Sequence, residues 1–153
     1  MRTISNAILF LRIFVVAAAV PYLLRLKLPK VGGVLEPGRE PVVVPEERVR
    51  KITGYVERAI RHGGPLVRQG CLTRGLTRYY FLRRAGMDVA LCFGMGRLDT
   101  GFMGHCWLVK DGEPFLETDD PRNLYAEMYC ISPTGSRASG LAGASGFGRF
   151  ANS

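Results

Sequence analysis

The sequence predicts an α+β domain in which helices pack on a small antiparallel sheet, preceded by an apolar N-terminal helix. Three observations predict it. The hydrophobic period is helical from about Glu46 to Arg84. Past Gly86 it gives way to short apolar runs rich in strand formers, with a hairpin signal at Asp111 and Gly112. The chain has 153 residues, 47% hydrophobic and 22% charged, which suits one domain of ordinary size and excludes wholesale disorder.

The first 30 residues form a unit of their own. Ala7 to Leu24 carries a single charge, Arg12, and is followed by Arg25, Lys27 and Lys30. As a helix its 18 residues would be about 27 Å long, against a hydrocarbon core of about 30 Å. Three readings fit: a marginal membrane span, a secretory signal, or a helix packed on its own domain or lying in the interface. Arg12 argues against the signal. A span would place the downstream domain in the cytoplasm, because the basic cluster follows the helix.

Residues 31–44 hold Gly32, Gly33, Pro37, Gly38 and Pro41, with Pro45 next, and read as a connector. The domain proper is expected over residues 45–131. Glu46 to Arg61 sets Val49, Ile52, Val56 and Ile60 at spacings of three and four, with acids at the start and bases at the end. His62, in the glycine-rich turn that stops this helix, reads as a solvated or capping residue. A second helix is expected from about Cys71 to Arg84, ended by Gly86. Val89 to Phe93 reads as a strand, residues 104–110 and 113–118 as a hairpin, and Tyr125 to Ile131 as an edge strand. Residues 132–153 are dominated by small residues without a period, and a flexible tail is expected there.

Charge narrows the partners. Residues 1–70 hold 12 basic and 5 acidic side chains (+7), and residues 71–153 hold 9 and 8 (+1), which together make the net charge of +8. The basic excess flanks an apolar helix and lies on an amphipathic one, without a nucleic-acid motif. An anionic membrane surface therefore fits it better than nucleic acid. Cysteines at 71, 92, 106 and 130 contain no C-x-x-C pair and meet only two histidines, so neither a zinc site nor a dense disulfide scaffold is expected. No metal and no cofactor are expected.

Cys71 is the candidate nucleophile. It follows Gln69 and Gly70 at a predicted helix start, where unpaired amides and the helix dipole favour a thiolate. The competing reading is a small buried apolar residue. His105 shares a strand face with Trp107 and Val109, whereas Cys106 points to the other face, so the histidine's thiol partner must come from elsewhere. The hairpin register selects the carboxylate. A two-residue turn at Asp111 and Gly112 would set Cys106 opposite Glu117. A three-residue loop with Gly112 left-handed sets Val109 opposite Glu113 and His105 opposite Glu117, with Asp119 as diagonal neighbour. The second register completes a Cys, His, carboxylate set, so it is the one expected; otherwise Glu117, Asp119 and Asp120 form an ordinary acidic loop. In such a set the thiolate attacks a carbonyl carbon, the imidazole protonates the leaving group and the carboxylate fixes the imidazole. The Cys71 amide would meet the oxyanion, with the Gln69 side chain as a second donor.

The segment CLTRGLTRYYFLRRAGMDVALCFGMG, followed by GHCWLVKDGEPFLE, resembles the transglutaminase-like core of the lasso-peptide biosynthesis peptidases, over about residues 45–131. The resemblance implies a papain-like fold and a Cys, His, Asp triad that removes the leader from a ribosomally made precursor peptide before a separate cyclase closes the ring. By position the nucleophile falls on Cys71, the base on His105 and the aspartate on Glu117, or on Asp119 if the longer glutamate does not fit. That substitution is a departure, as is His-Cys-Trp where the family has His-Ala-Trp. The resemblance further implies a separate leader-recognition protein as partner and a cytoplasmic setting, with the apolar first helix packed or associated with a membrane surface. The rival readings are a transglutaminase-like acyltransferase, with an amine as acceptor, and a non-catalytic peptide-binding module.

Overall fold

The structure is a computed structural model and describes residues 2–23, 25, 35, 40–99, 101–133 and 135–138. Among these residues three long helices pack against one antiparallel sheet. Helix α1 spans Arg2–Leu23, α2 Glu46–His62 and α3 Cys71–Ala85. Strands follow as β1 Ala90–Leu98, β2 Gly101–Lys110, β3 Glu113–Phe115, β4 Ala126–Ser132 and β5 Gly135–Ala138, in the spatial order β3-β2-β1-β4-β5.

Helix α3 is the centre of the fold. Thr73, Gly75, Leu76, Thr77, Tyr79, Phe81, Leu82 and Arg83 are buried on it, more than one face can account for. The reason is its position, with α1 and α2 on one side and β1 and β2 on the other. Even Arg83 is covered, donating from Nη1 to the Met87 carbonyl at 2.8 Å. Gly86 ends the helix at φ 100° with its N–H on the Arg83 and Leu82 carbonyls, so the chain turns directly into the sheet.

Helix α2 buries the predicted stripe, Val49, Ile52, Val56 and Ile60, and adds Ala59. Helix α1 packs Ile13, Ala17 and Val20 on α2 and α3, while Ile8, Leu11, Val15 and Tyr22 stay exposed. Residues 5–23 have a mean hydropathy of 1.9, so the helix is long and apolar enough to cross a membrane by length and composition. Its buried stripe shows that it also packs on its own domain. Lys27 and Lys30 lie outside the described residues, as does most of the connector, although Leu35 is buried in the core.

The sheet differs from expectation in several places; β4, expected at an edge, lies between β1 and β5. First, β1 runs on to Leu98 and forms a hairpin with β2, closing at the pair Leu98 and Gly101. The apolar run stops at Phe93 because Gly94 and Gly96 must be bare. A Cβ on Gly94 would lie 2.8 Å from the Trp107 ring, and one on Gly96 2.1 Å from the Leu124 carbonyl oxygen. Second, β5 pairs with β4 inside the segment expected to be a tail, and residues 139–153 lie outside the described residues.

Third, the β2–β3 register is not the expected one. Lys110 pairs with Glu113, Val109 with Pro114 and Leu108 with Phe115, so Asp111 and Gly112 are a two-residue turn. Their φ values of 52° and 82° are both left-handed, which is the turn whose twist suits a two-residue hairpin. Asp tolerates that conformation and a β-branched residue does not. Gly112→Val is therefore expected to destabilise the fold by about 1–2 kcal/mol, read as a lower urea midpoint, with Gly112→Asn losing less.

Cys92 and Cys130 are directly opposed on β1 and β4 and form a disulfide. The sequence reading did not pair them, since the pairing depends on a register that spacing does not reveal. The bond closes a separation of 38 residues.

Candidate active site

Gly70 adopts φ 154° and no side chain caps the start of α3, so the first-turn N–H groups are left for another acceptor. Cys71 occupies the first helical position, half-buried, and lines a cavity of about 240 Å³ together with Arg74, Gly75, Arg78, His105, Cys106, Glu117 and Thr118. The candidate thiol and imidazole thus share one cavity, although 34 residues of sequence separate them. Packing of α3 on β2 brings them together.

The imidazole is held on three sides. The Trp107 ring stacks at 6.1 Å and 17°, and the Tyr125 ring at 5.0 Å and 29°. Glu117 Oε2 lies 3.5 Å from His105 Nε2, longer than a well-formed hydrogen bond. With the carboxylate at Nε2, Nδ1 is the nitrogen left for the sulfur. Glu117 reaches the histidine by a different route from the expected one. In the observed register, continuing β3 would have carried it opposite Cys106. Instead the strand ends at Phe115 and Leu116 turns with φ 63°, which swings the next residue round to the imidazole. Arg78 holds this bend, with Nη1 3.5 Å from the Leu116 carbonyl and Nη2 2.9 Å from Glu57 Oε1. Arg74 Nε shares the same Glu57 oxygen at 2.8 Å.

Cys106 points away from His105, toward α3, as the strand alternation predicts. Its Sγ donates to the Cys71 carbonyl at 3.1 Å. Gly75 makes room for it, because a Cβ there would lie 2.8 Å from that sulfur. The pair divides its protons unequally. Hydrogen bonding from the Cys106 side chain, followed by the hydrogen bond and charge of His105, outweighs burial and draws the Cys71 thiol down from its ordinary 9.0 to about 5. The Cys71 sulfur together with burial pushes Cys106 far above the usual thiol range. Cys71 is therefore the thiolate and Cys106 the proton holder.

This polarity predicts a pH profile. At pH 6 a thiol with a pKa near 5 is ionised to about 90%, against about 0.1% for one near 9, while its intrinsic nucleophilicity is lower by roughly 60-fold. Cys71 should react with iodoacetamide at pH 6 about tenfold faster than an ordinary cysteine. Its rate should fall only as pH drops through about 5, and peptide mapping of the adduct checks both. The sign for stability is the same: ionisation of a thiol with a depressed pKa favours the fold fully above pH 9 and no longer below about 5.

Gln69 is exposed and is not among the residues lining the cavity. Asp119 is exposed and also outside that lining, and His62 is exposed at the end of α2. Cys92, Glu127 and Cys130 bring ligand atoms within 4.8 Å of one another, but both sulfurs are committed to the disulfide. Four residues of the site were not singled out from the sequence: Tyr125, Glu57, Arg74 and Arg78. Each acts across a contact between elements, and only the i, i+4 spacing of Arg74 and Arg78 on one helix face was there to be read.

A cysteine at a helix start, facing a histidine from an antiparallel strand with a carboxylate beyond it, is the arrangement of papain-like thiol enzymes. The family model of the transglutaminase-like superfamily matches residues 13–130, and the chain belongs to that superfamily. It includes cysteine peptidases and acyltransferases, and its fold is typically that of a cysteine hydrolase or transferase. No curated protein and no solved structure matches the chain.

Proposed function

We propose that this chain is a cysteine peptidase that removes the leader from a ribosomally synthesised, lasso-type precursor peptide, with Cys71, His105 and Glu117 as its catalytic residues. The observation that carries the reading is the thiolate at the mouth of α3 in one cavity with an imidazole braced by a carboxylate. The Cys71 thiolate attacks the scissile carbonyl carbon. The Cys71 N–H at the uncapped helix start meets the oxyanion, a contact typically worth 10² to 10³ in rate per donor. His105 gives its proton to the leaving amine and then takes one from the water that cleaves the acyl-thioester. Glu117 keeps the ring oriented and supports its positive charge.

The precursor choice rests on the sequence resemblance, as do the two partner proteins, a leader-recognition protein and a cyclase. A cytoplasmic setting at a membrane surface is supported by the apolar exposed stripe of α1 and the basic N-terminal half. The Cys92–Cys130 disulfide weighs toward an oxidising compartment instead. The test begins with the neighbouring reading frames. A short precursor and a cyclase are expected beside this chain, and the purified protein, with a leader-binding partner, should cleave that precursor at one bond. Absence of both frames would overturn the lasso reading. Mass spectrometry with an added primary amine separates the alternatives: the hydrolysed acid is expected, and the amide would establish the acyltransferase.

A further inference from the structure

Cys106 is a buried thiol that the proposed peptidase steps leave unused, yet it is pressed against the nucleophile. It is 3% exposed, its Sγ sits 3.1 Å from the carbonyl oxygen of Cys71, and it lines the same cavity as the Cys71 side chain. Bare Gly75 permits the approach. The cavity gives small molecules a route to Cys71. A thiolate open to a cavity with a second thiol against it is the arrangement that turns oxidation into a reversible disulfide. The other two cysteines are already bonded to each other and cannot compete.

We propose that the pair is a modification site for hydrogen peroxide, with Cys71 as the oxidised thiolate and Cys106 as the thiol that resolves it into a Cys71–Cys106 disulfide. In the first step the Cys71 sulfur attacks one peroxide oxygen and the O–O bond breaks. The sulfur is oxidised by two electrons to sulfenic acid, and the other oxygen leaves as hydroxide and takes up a proton to become water. In the second step the Cys106 sulfur attacks the Cys71 sulfur, the S–O bond breaks, and the departing oxygen leaves as water with the Cys106 proton. The balance is two thiols and one peroxide to one disulfide and two waters. The first step also prepares the second. The charge of the Cys71 thiolate, one of the causes that keep Cys106 protonated, is lost when that sulfur becomes a neutral sulfenic acid.

The inference rests on the two cysteines meeting at one cavity and not on which acyl group Cys71 attacks. The experiment treats the full chain with hydrogen peroxide and maps it without reduction. Wild type is expected to lose about 2 Da, to join tryptic peptides 69–74 and 98–110, and to recover its iodoacetamide reactivity in dithiothreitol. Peptides 85–97 and 123–137, which carry Cys92 and Cys130, should stay joined to each other throughout. Cys106→Ala should instead gain about 16 and then 32 Da at Cys71, with the second addition not reversed by dithiothreitol. Overoxidation of Cys71 at the same rate in both proteins, without the 69–74 to 98–110 link, would overturn the proposal. Iodoacetamide labelling of a separate sample that never meets peroxide keeps this result distinct from the peptidase reading: a thiolate that labels there but forms no link in the peroxide-treated sample sinks only the disulfide.

Discussion

Cys71→Ala is expected to abolish turnover, with a loss of at least about 10⁴-fold, as for removal of the nucleophile from other triads. Nothing else in the cavity can replace it. Cys106 is the nearest other thiol, but it is buried on the helix side and held protonated. The variant should remain folded. Cys71 is half-buried at the first position of α3, and its loss removes one sulfur without opening the core around Leu76, Tyr79 and Leu82. Circular dichroism should give an unchanged far-UV spectrum, and peptide mapping should show that iodoacetamide labelling at pH 6 has been lost. Activity equal to wild type in Cys71→Ala would end the enzymatic reading.

Trp107→Ala is expected to have the largest effect on stability, about 3–5 kcal/mol. The indole is fully buried, at 0% exposure, and its ring lies over Gly94. A bare glycine has no side chain that could move into the space, and the backbone of β1 is fixed by pairing on both sides. The cavity therefore cannot collapse, which puts the cost toward the upper end of the range. His105 would also lose one of the two rings that hold it, so activity should fall further than stability alone explains. Trp107 is the chain's only tryptophan, so unfolding must be followed by circular dichroism. Trp107→Phe should restore part of both properties, and a urea midpoint near wild type for Trp107→Ala would contradict the packing argument.

Glu117 separates a correct pairing from its reason. The sequence reading reached it by choosing a three-residue loop that would set it opposite His105. The hairpin takes the two-residue turn instead, and the left-handed Leu116 supplies the displacement. A non-glycine residue at positive φ gives little local signal, and here Arg78 holds the bend from a different element. The disulfide and the strand β5 were hidden for a related reason. Cross-strand register is a property of pairs of segments, and the small residues after Pro133 carry no period of their own. By contrast, Cys106 was placed on the face away from His105 by alternation alone, a rule that needs no knowledge of the partner strand.

The sequence by itself determined the helices, the position of Cys71 at a helix start and the face of β2 that carries His105. Each of these follows from periodicity and breakers within a single segment, where the spacing of apolar residues and the conformational limits of glycine and proline act directly on the chain. Only the tertiary structure decided that the two residues share a cavity, that Glu117 reaches the imidazole, that Tyr125 and Trp107 hold the ring, and that Cys106 lies against Cys71. Those are distances between elements, set by how α3 seats on the sheet and where β3 is allowed to end. They depend on packing among side chains far apart in sequence, for which no local pattern stands proxy.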